Sequence, residues 1–198
     1  MSQKNPIRKI TPRRVSQFVP DDEKLAELVV LLARRSEGDP LFGGIKLNKL
    51  LFYADFLAYL RFGKPITGQE YFALEQGPAL RYKARLWKKM IDRGDIVVRK
   101  EASSFFDTEK ETTIAMREPN IEKFAKEELN LIFNLLATCR EKYGNDLSEW
   151  THRFAGWRLS KEKETIPYSV ALVGERQPTR DEIRRGLDLE SSLVGATA

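Results

Sequence analysis

The stretch Ile45–Phe62 is apolar on nearly every side of a helix, and this constrains the fold more than any other feature of the chain. At about 100° per residue, Leu47, Leu50, Leu51, Ala54, Leu57 and Ala58 share one face, and Phe52, Phe56, Tyr59 and Leu60 lie on the far side. A helix without a polar face is buried on both sides. It is therefore expected to run through the middle of the domain. Gly63 suits a left-handed C-terminal cap, and Pro65 blocks continuation. The apolar run Leu28–Ala33 is too short to span a bilayer, and so is the longer run Leu50–Leu60, which contains Asp55.

The remaining elements arrange themselves around that helix. Asp21 and Asp22 offer N-cap carboxylates to a first helix with Leu25, Leu28, Val29 and Leu32 at helical spacing, stopping near Arg35 before Gly38 and Pro40. Tyr71–Leu74 reads as a short strand. Gly77-Pro78 breaks the chain, and Pro78 fits the first turn of a third helix over Ala79–Arg93, ended by Gly94. On it Leu80, Ala84, Trp87 and Ile91 form the expected core face. Ile96–Val98 and Thr112–Ala115 read as a hairpin with a long charged connection. Asn120 is expected to cap a fourth helix from Ile121 to Tyr143, ended by Gly144, with a short helix over Leu147–Arg153 after it. Ile166–Val173 is apolar and fits either helix or strand. Thr179 and Glu182 form a capping box for a last helix ending near Leu189. The expected fold class is mainly α with a small β-hairpin (α+β), a compact helical domain with a winged-helix-like helix-plus-hairpin unit. The domain is expected over residues 21–190, between a basic arm at 1–20 and a frayed tail at 191–198.

Charge is unevenly placed. The net charge is +5, and Lys4, Arg8, Lys9, Arg13 and Arg14 account for all of it, with no Asp or Glu among the first twenty residues. The body is thus neutral, which weakens the usual link from a basic chain to nucleic acid. Like charges and prolines predict a solvated arm, so removal of residues 1–18 is expected to leave the fold intact. The single cysteine, Cys139, excludes an internal disulfide and a cysteine metal site, and its apolar neighbours Leu135 and Leu136 suggest an inert buried thiol. No secretory leader is read in the first twenty residues, and a reducing, cytoplasmic setting fits. The single histidine, His152, lacks a visible nucleophile at working spacing and stands beside Trp150 and Trp157, which suggests a structural role. No Gly-rich phosphate loop occurs. No cofactor, no metal and no enzymatic activity are expected.

Several motifs resemble one known family. Lys46-Leu47-Asn48-Lys49-Leu50-Leu51-Phe52-Tyr53-Ala54 is similar to the Lys-Leu-x-Lys-Leu-Leu-Tyr-Tyr/Phe-Ala opening of the Panacea antitoxin domain, a SocA-like, phage-associated family. Gly63-Lys64-Pro65-Ile66 resembles its Gly-x-Pro-Ile turn. The segment from Tyr71 to Gly77-Pro78 resembles its aromatic strand and Gly-Pro, and Leu147-Ser148-Glu149-Trp150-Thr151-His152 with Trp157 resembles its Leu-Ser-x-x-Thr-His…Trp element. The resemblance covers Leu25 to Leu189. It departs at the charged connection Lys100–Glu111 and at Ala155-Gly156, where the family is commonly more polar. It implies an antitoxin of a bacterial or phage toxin–antitoxin pair that contacts its toxin directly, with delivery to a cellular protease as a variant mode. It also implies that Lys46, Leu47, Lys49, Leu50, Tyr53, Gly77, Pro78, Thr151, His152 and Trp157 mainly hold the fold, with Lys46 and Lys49 flanking the buried helix.

Three classes of function remain in view. A protein-binding antitoxin fits the resemblance and the empty catalytic inventory. A winged-helix-like DNA-binding regulator would use the third helix, where Arg81, Arg85, Lys88 and Lys89 form a basic face. The same four residues are the expected contacts for a toxin, and Asp92 and the neutral body favour a protein partner over DNA. A hydrolase around His152 lacks partners. No membrane partner is expected, and oligomeric state is left open.

Overall fold

The structure, a computed structural model, describes residues 18–102, 109–173, 179–181, 184 and 185. Helix α1 spans Asp22–Arg35, capped by Asp21, whose carboxylate accepts from the Lys24 amide at 2.8 Å. Asp22 and Glu23 sit at its positive end and Arg34 and Arg35 at its negative end, as the helix dipole favours. Every residue from Leu28 to Ala33 is buried, so α1 is enclosed on more faces than its periodicity suggested. Helix α2 spans Gly44–Phe62 and stops at Gly63, which adopts φ +72°. It packs against α1 and several of the elements that follow.

Two antiparallel hairpins accompany the helices, where the sequence led us to expect one. Strands β1 (Tyr71–Leu74) and β2 (Gly77–Leu80) pair with Tyr71 opposite Leu80 and Leu74 opposite Gly77. Gly77-Pro78 therefore begins a strand and not a helix. Helix α3 begins later, at Lys83, and ends at Asp92, which places Arg81 on the turn before it. Its core face is Leu86, Trp87 and Met90, while Ala84 and Ile91 are exposed and Leu80 is buried in β2. Strands β3 (Ile96–Ala102) and β4 (Glu109–Ala115) form the second hairpin. Much of the charged connection is strand: Lys100 pairs with Glu111 across the ladder at 3.6 Å, a favourable cross-strand charge pair.

The fourth helix divides in two. Asn120 caps only a 3-10 turn, Ile121–Lys123, and α4 runs Lys126–Cys139. Glu128 in its first turn accepts from the Ala125 amide and takes the Lys24 ammonium at 2.8 Å, joining α4 to α1. Gly144 does not end a helix. It opens α5 (Gly144–Arg153), which α6 (Ala155–Leu159) follows. A Cβ on Gly156 would overlap the Val170 side chain and lie 2.9 Å from Ile166 Cγ2. The small residue lets α6 press onto the 3-10 turn Tyr168–Leu172, the form taken by the equivocal apolar stretch. Residues 180, 181, 184 and 185 are helical; Glu182, the end of that helix, the tail at 191–198 and residues 1–17 lie outside the described residues.

Charged residues join α1 to the β3–β4 hairpin. Arg117 donates to both carboxylate oxygens of Glu27 at 2.8 Å and to Asp95 at 2.7 Å, and Arg93 takes the other oxygen of Asp95. A bidentate guanidinium–carboxylate pair fixes orientation as well as distance. Phe18, within the segment expected as the arm, packs against the edge of the core. Its ring meets those of Tyr59 and Tyr168 edge-on at 5.8 and 5.6 Å. Removal of residues 1–18 therefore strips an aromatic side chain from the core. We predict that Phe18→Ala lowers the unfolding free energy by roughly 1–3 kcal/mol, less than a fully buried Phe because the ring is half exposed. Urea denaturation checks this, and a loss below about 0.5 kcal/mol would show that the ring adds nothing to the core.

Candidate functional site

Residues of the motifs that lie more than a hundred positions apart meet around the β1–β2 hairpin. Lys46 and Lys49 do not flank α2: both are 2 % exposed. The Lys46 ammonium pairs with Asp39 at 2.9 Å and donates to the Arg140 carbonyl at the end of α4 at 2.9 Å. Asn48 donates to the Pro78 carbonyl at 2.8 Å and accepts from the Leu80 amide at 3.1 Å, so one side chain clamps β2. The Lys49 ammonium donates to the Gln76 and Pro78 carbonyls. Gly77 stands against it at φ +94°, and a Cβ there would lie 2.5 Å from both Lys49 Nζ and Thr151 Oγ1. Thr151 in α5 is fully buried, its hydroxyl donating to the Ser148 carbonyl at 2.7 Å. Trp157 in α6 donates its indole N–H to the Leu74 carbonyl at 2.8 Å, and the His152 ring stacks on it at 4.0 Å. Leu47 and Leu50 lie in the core, and Tyr53 packs at its edge with its hydroxyl raised above the ordinary range, chiefly by burial.

A second polar cluster went unnoticed in the sequence because Asp55 only interrupts an apolar run. The Asp55 carboxylate is fully buried and accepts from the Thr67 amide at 2.6 Å, the Thr67 hydroxyl at 2.5 Å and the Tyr71 hydroxyl at 3.0 Å. Burial pushes its pKa up, and these donors oppose the shift. Tyr168 donates nearby to the Gln69 carbonyl at 2.6 Å. Cys139 is buried, and its thiol is pushed up in pKa by that burial.

The four basic residues expected on one helical face are separated. Arg81 is half-buried: it pairs with Glu70 at 3.4 Å, donates to Thr165 at 2.8 Å and lies over the Phe72 ring. Arg85, Lys88 and Lys89 are exposed on α3, yet each has an acidic neighbour: Arg85–Asp22 at 3.4 Å, Lys88–Asp92 at 2.7 Å and Lys89–Glu23 at 3.1 Å. Two of these acids come from the first turn of α1, which sequence spacing could not relate to α3.

Beside the motif cluster lies a cavity of about 680 Å³, walled by the N-terminal turns of α2 and α5 and by Lys49, Gly77, Lys83 and Lys110. Among the described residues, Lys83 makes no hydrogen bond or ion pair, and its ammonium lies over the Trp87 ring at 5.2 Å. Burial lowers its pKa, with Glu111 opposing. Lys83 stands next to the expected basic face and was passed over because nothing in its local pattern marks it.

Gly77→Ala forces a Cβ into the left-handed region and against two buried polar atoms. We predict a loss of more than about 1 kcal/mol in denaturant unfolding; an unchanged midpoint would show that the Lys49–Gly77–Thr151 contact is loose. Burial holds the Lys49 ammonium down to about 8, whereas in an unfolded chain it titrates near roughly 10.4. Between those values the unfolded chain keeps a proton that the native protein has lost, so stability contributed at this site rises with pH. The stability of the wild type minus that of Lys49→Met is therefore expected to grow by on the order of 2 kcal/mol from pH 7.5 to 10. A flat difference would mean that Lys49 titrates as in solvent.

No described helix is long and apolar enough to cross a membrane. No curated protein and no solved structure matches the chain. A family model described as Antitoxin SocA-like, Panacea domain, matches residues 47–158, a shorter span at both ends than the resemblance read from the sequence. It takes in the motif residues from Leu47 to Trp157, both hairpins and the helices between them. With more than half of the 198 residues matched, the chain belongs to the SocA-like antitoxin family with a Panacea domain.

Proposed function

We propose that the protein neutralises a toxin encoded beside its own gene by binding it directly. The observation that carries this reading is the antitoxin family match over the segment that builds the hairpin and motif cluster. Those motif residues are engaged within the fold, which leaves the outer surface to select a partner. The α3–β3 unit offers such a surface: Ile91, Val97 and Val98 are exposed on it, as are Arg85, Lys88 and Lys89. Acidic groups on a toxin would replace Asp22, Asp92 and Glu23 as partners of those cations. Exchange of one solvated carboxylate for another changes affinity little, while it raises encounter rate and selects against basic partners. Arg81 contributes less to this face than sequence spacing suggested, since it is tied to Glu70 and Thr165. DNA phosphates would compete with the same three acids for a modest number of cations on a neutral body, so a DNA-binding regulator draws less support.

Co-expression with the neighbouring toxin gene is expected to restore growth, and the toxin is expected to co-purify with the tagged protein. A toxin that is neutralised yet never co-purifies, with cellular proteases disabled, would sink direct binding. Disappearance of the toxin only when proteases are active would identify delivery to a protease as the mode of neutralisation.

A further inference from the structure

The cavity between α2 and α5 gathers more positive than negative charge on its described wall. Gly43 precedes α2 and offers no side-chain cap, and the first turn of α2 holds no acidic residue, so the amide end of a 19-residue helix faces the cavity uncompensated. The start of α5 lies beside it: a Cβ on Gly144 would be 2.9 Å from Ile45 Cγ2 and 3.3 Å from the Lys46 amide nitrogen. Asp146 partly offsets that second end by accepting from the Tyr143 amide at 2.9 Å. Lys49, 2 % exposed, lines the cavity, and among the described residues its ammonium meets only backbone carbonyls and no carboxylate. Lys83 lines it too, without an ion pair, and a Cβ on Gly44 would approach its Nζ to 3.8 Å. Among the described residues the other charged groups of the wall are accounted for: Lys46 is paired with Asp39, Lys110 donates to the Pro40 carbonyl at 2.6 Å, and Glu111 is its one carboxylate.

On the reading that the chain binds a toxin, we propose that this cavity receives an acidic side chain of that toxin, its carboxylate set between the amide ends of α2 and α5 and the ammonium groups of Lys49 and Lys83. The volume falls within the usual range for a binding pocket. Leu41, Ile45, Leu74 and Ala79 make part of the wall apolar. A small free anion would leave that wall bare, whereas a Glu or Asp followed by an apolar residue fills both parts. Burial depresses the pKa of both lysines, and an incoming carboxylate relieves it, so binding weakens as pH rises through 8 and Lys49 loses its proton.

Two measurements on the full chain test the site. The first is an amide NMR titration with acetyl-Glu-Leu-amide, acetyl-Gln-Leu-amide and inorganic phosphate. The Glu peptide is expected to move the amides of Gly43, Gly44 and Gly144, and the Gln peptide and phosphate to leave them in place. Equal shifts from Glu and Gln, shifts from phosphate alone, or no shifts would each overturn the site. The second is capture of the neighbouring toxin by charge variants. Lys83→Glu is expected to reduce capture at least tenfold and Lys83→Met about threefold, with both variants still folded in thermal melts, and Lys64→Glu, exposed beyond the far end of α2, within twofold of wild type. Replacement of one acidic toxin residue by Lys is expected to restore capture by Lys83→Glu. Capture by Lys83→Glu equal to that by wild type would overturn the cavity as anchor while direct binding stands. Failure of the wild type itself to capture the toxin would remove direct binding and the anchor together.

Discussion

Helix α2 has almost no face on which to release polar side chains to water, and the rest of the structure answers to that. Lys46, Asn48, Lys49 and Asp55 all project into protein. A buried polar group without a partner is destabilising by about 1–3 kcal/mol, and a buried charge by more. All four are satisfied from outside the helix. Lys46 takes the end of α4 and Asp39, Asn48 and Lys49 take the β1–β2 hairpin, and Asp55 takes Thr67 and Tyr71. The apolar residues of α2 would tolerate many packings of similar volume. The polar ones accept few, because hydrogen bonds need distance and direction.

The β1–β2 hairpin is the place where these requirements coincide. Its turn lies against Lys49 and Thr151, and its Leu74 carbonyl receives the Trp157 indole. Its outer edge is covered as well: the Ala73 amide donates to the Glu164 carbonyl and the Ile166 amide to the Tyr71 carbonyl, so the segment before the last 3-10 turn lies alongside β1. An uncovered edge would invite pairing with another chain. A four-residue hairpin is marginal in isolation. Here side chains from α2, α5 and α6 hold it, which explains why motif residues so far apart in sequence belong together. The same arrangement brings the starts of α2 and α5 side by side and opens the cavity between them.

Much of the helical framework was legible. Asp21, Gly63 and the apolar spacings mark α1 and α2 to within a residue because caps and periodicity are local signals. Gly77-Pro78 misled because proline suits both a first helical turn and a strand position whose amide is not needed. Pairing with β1 and the Asn48 clamp decided between them, and both lie outside the local window. Asn120 and Gly144 misled in the same way: each carries a terminal signal, but Asn120 serves a 3-10 turn and Gly144 starts a helix where Ile45 leaves no room for a Cβ. The pairing of Arg85 and Lys89 with Asp22 and Glu23 was not legible, because those acids lie some sixty residues away.

The sequence by itself determined that a helix apolar on all sides lies at the centre, where α1 and α2 begin and end, and which family the motifs resemble. These follow from spacing and capping chemistry, which neighbours along the chain express together. Only the tertiary structure decided that Lys46 and Lys49 are buried, that Gly77 faces Lys49 and Thr151, and that two helix starts and Lys83 share one cavity. The reason lies in the partners. Lys49 is held by backbone carbonyls, and a carbonyl stands at every position of every chain, so nothing in the sequence marks which one a buried ammonium will meet.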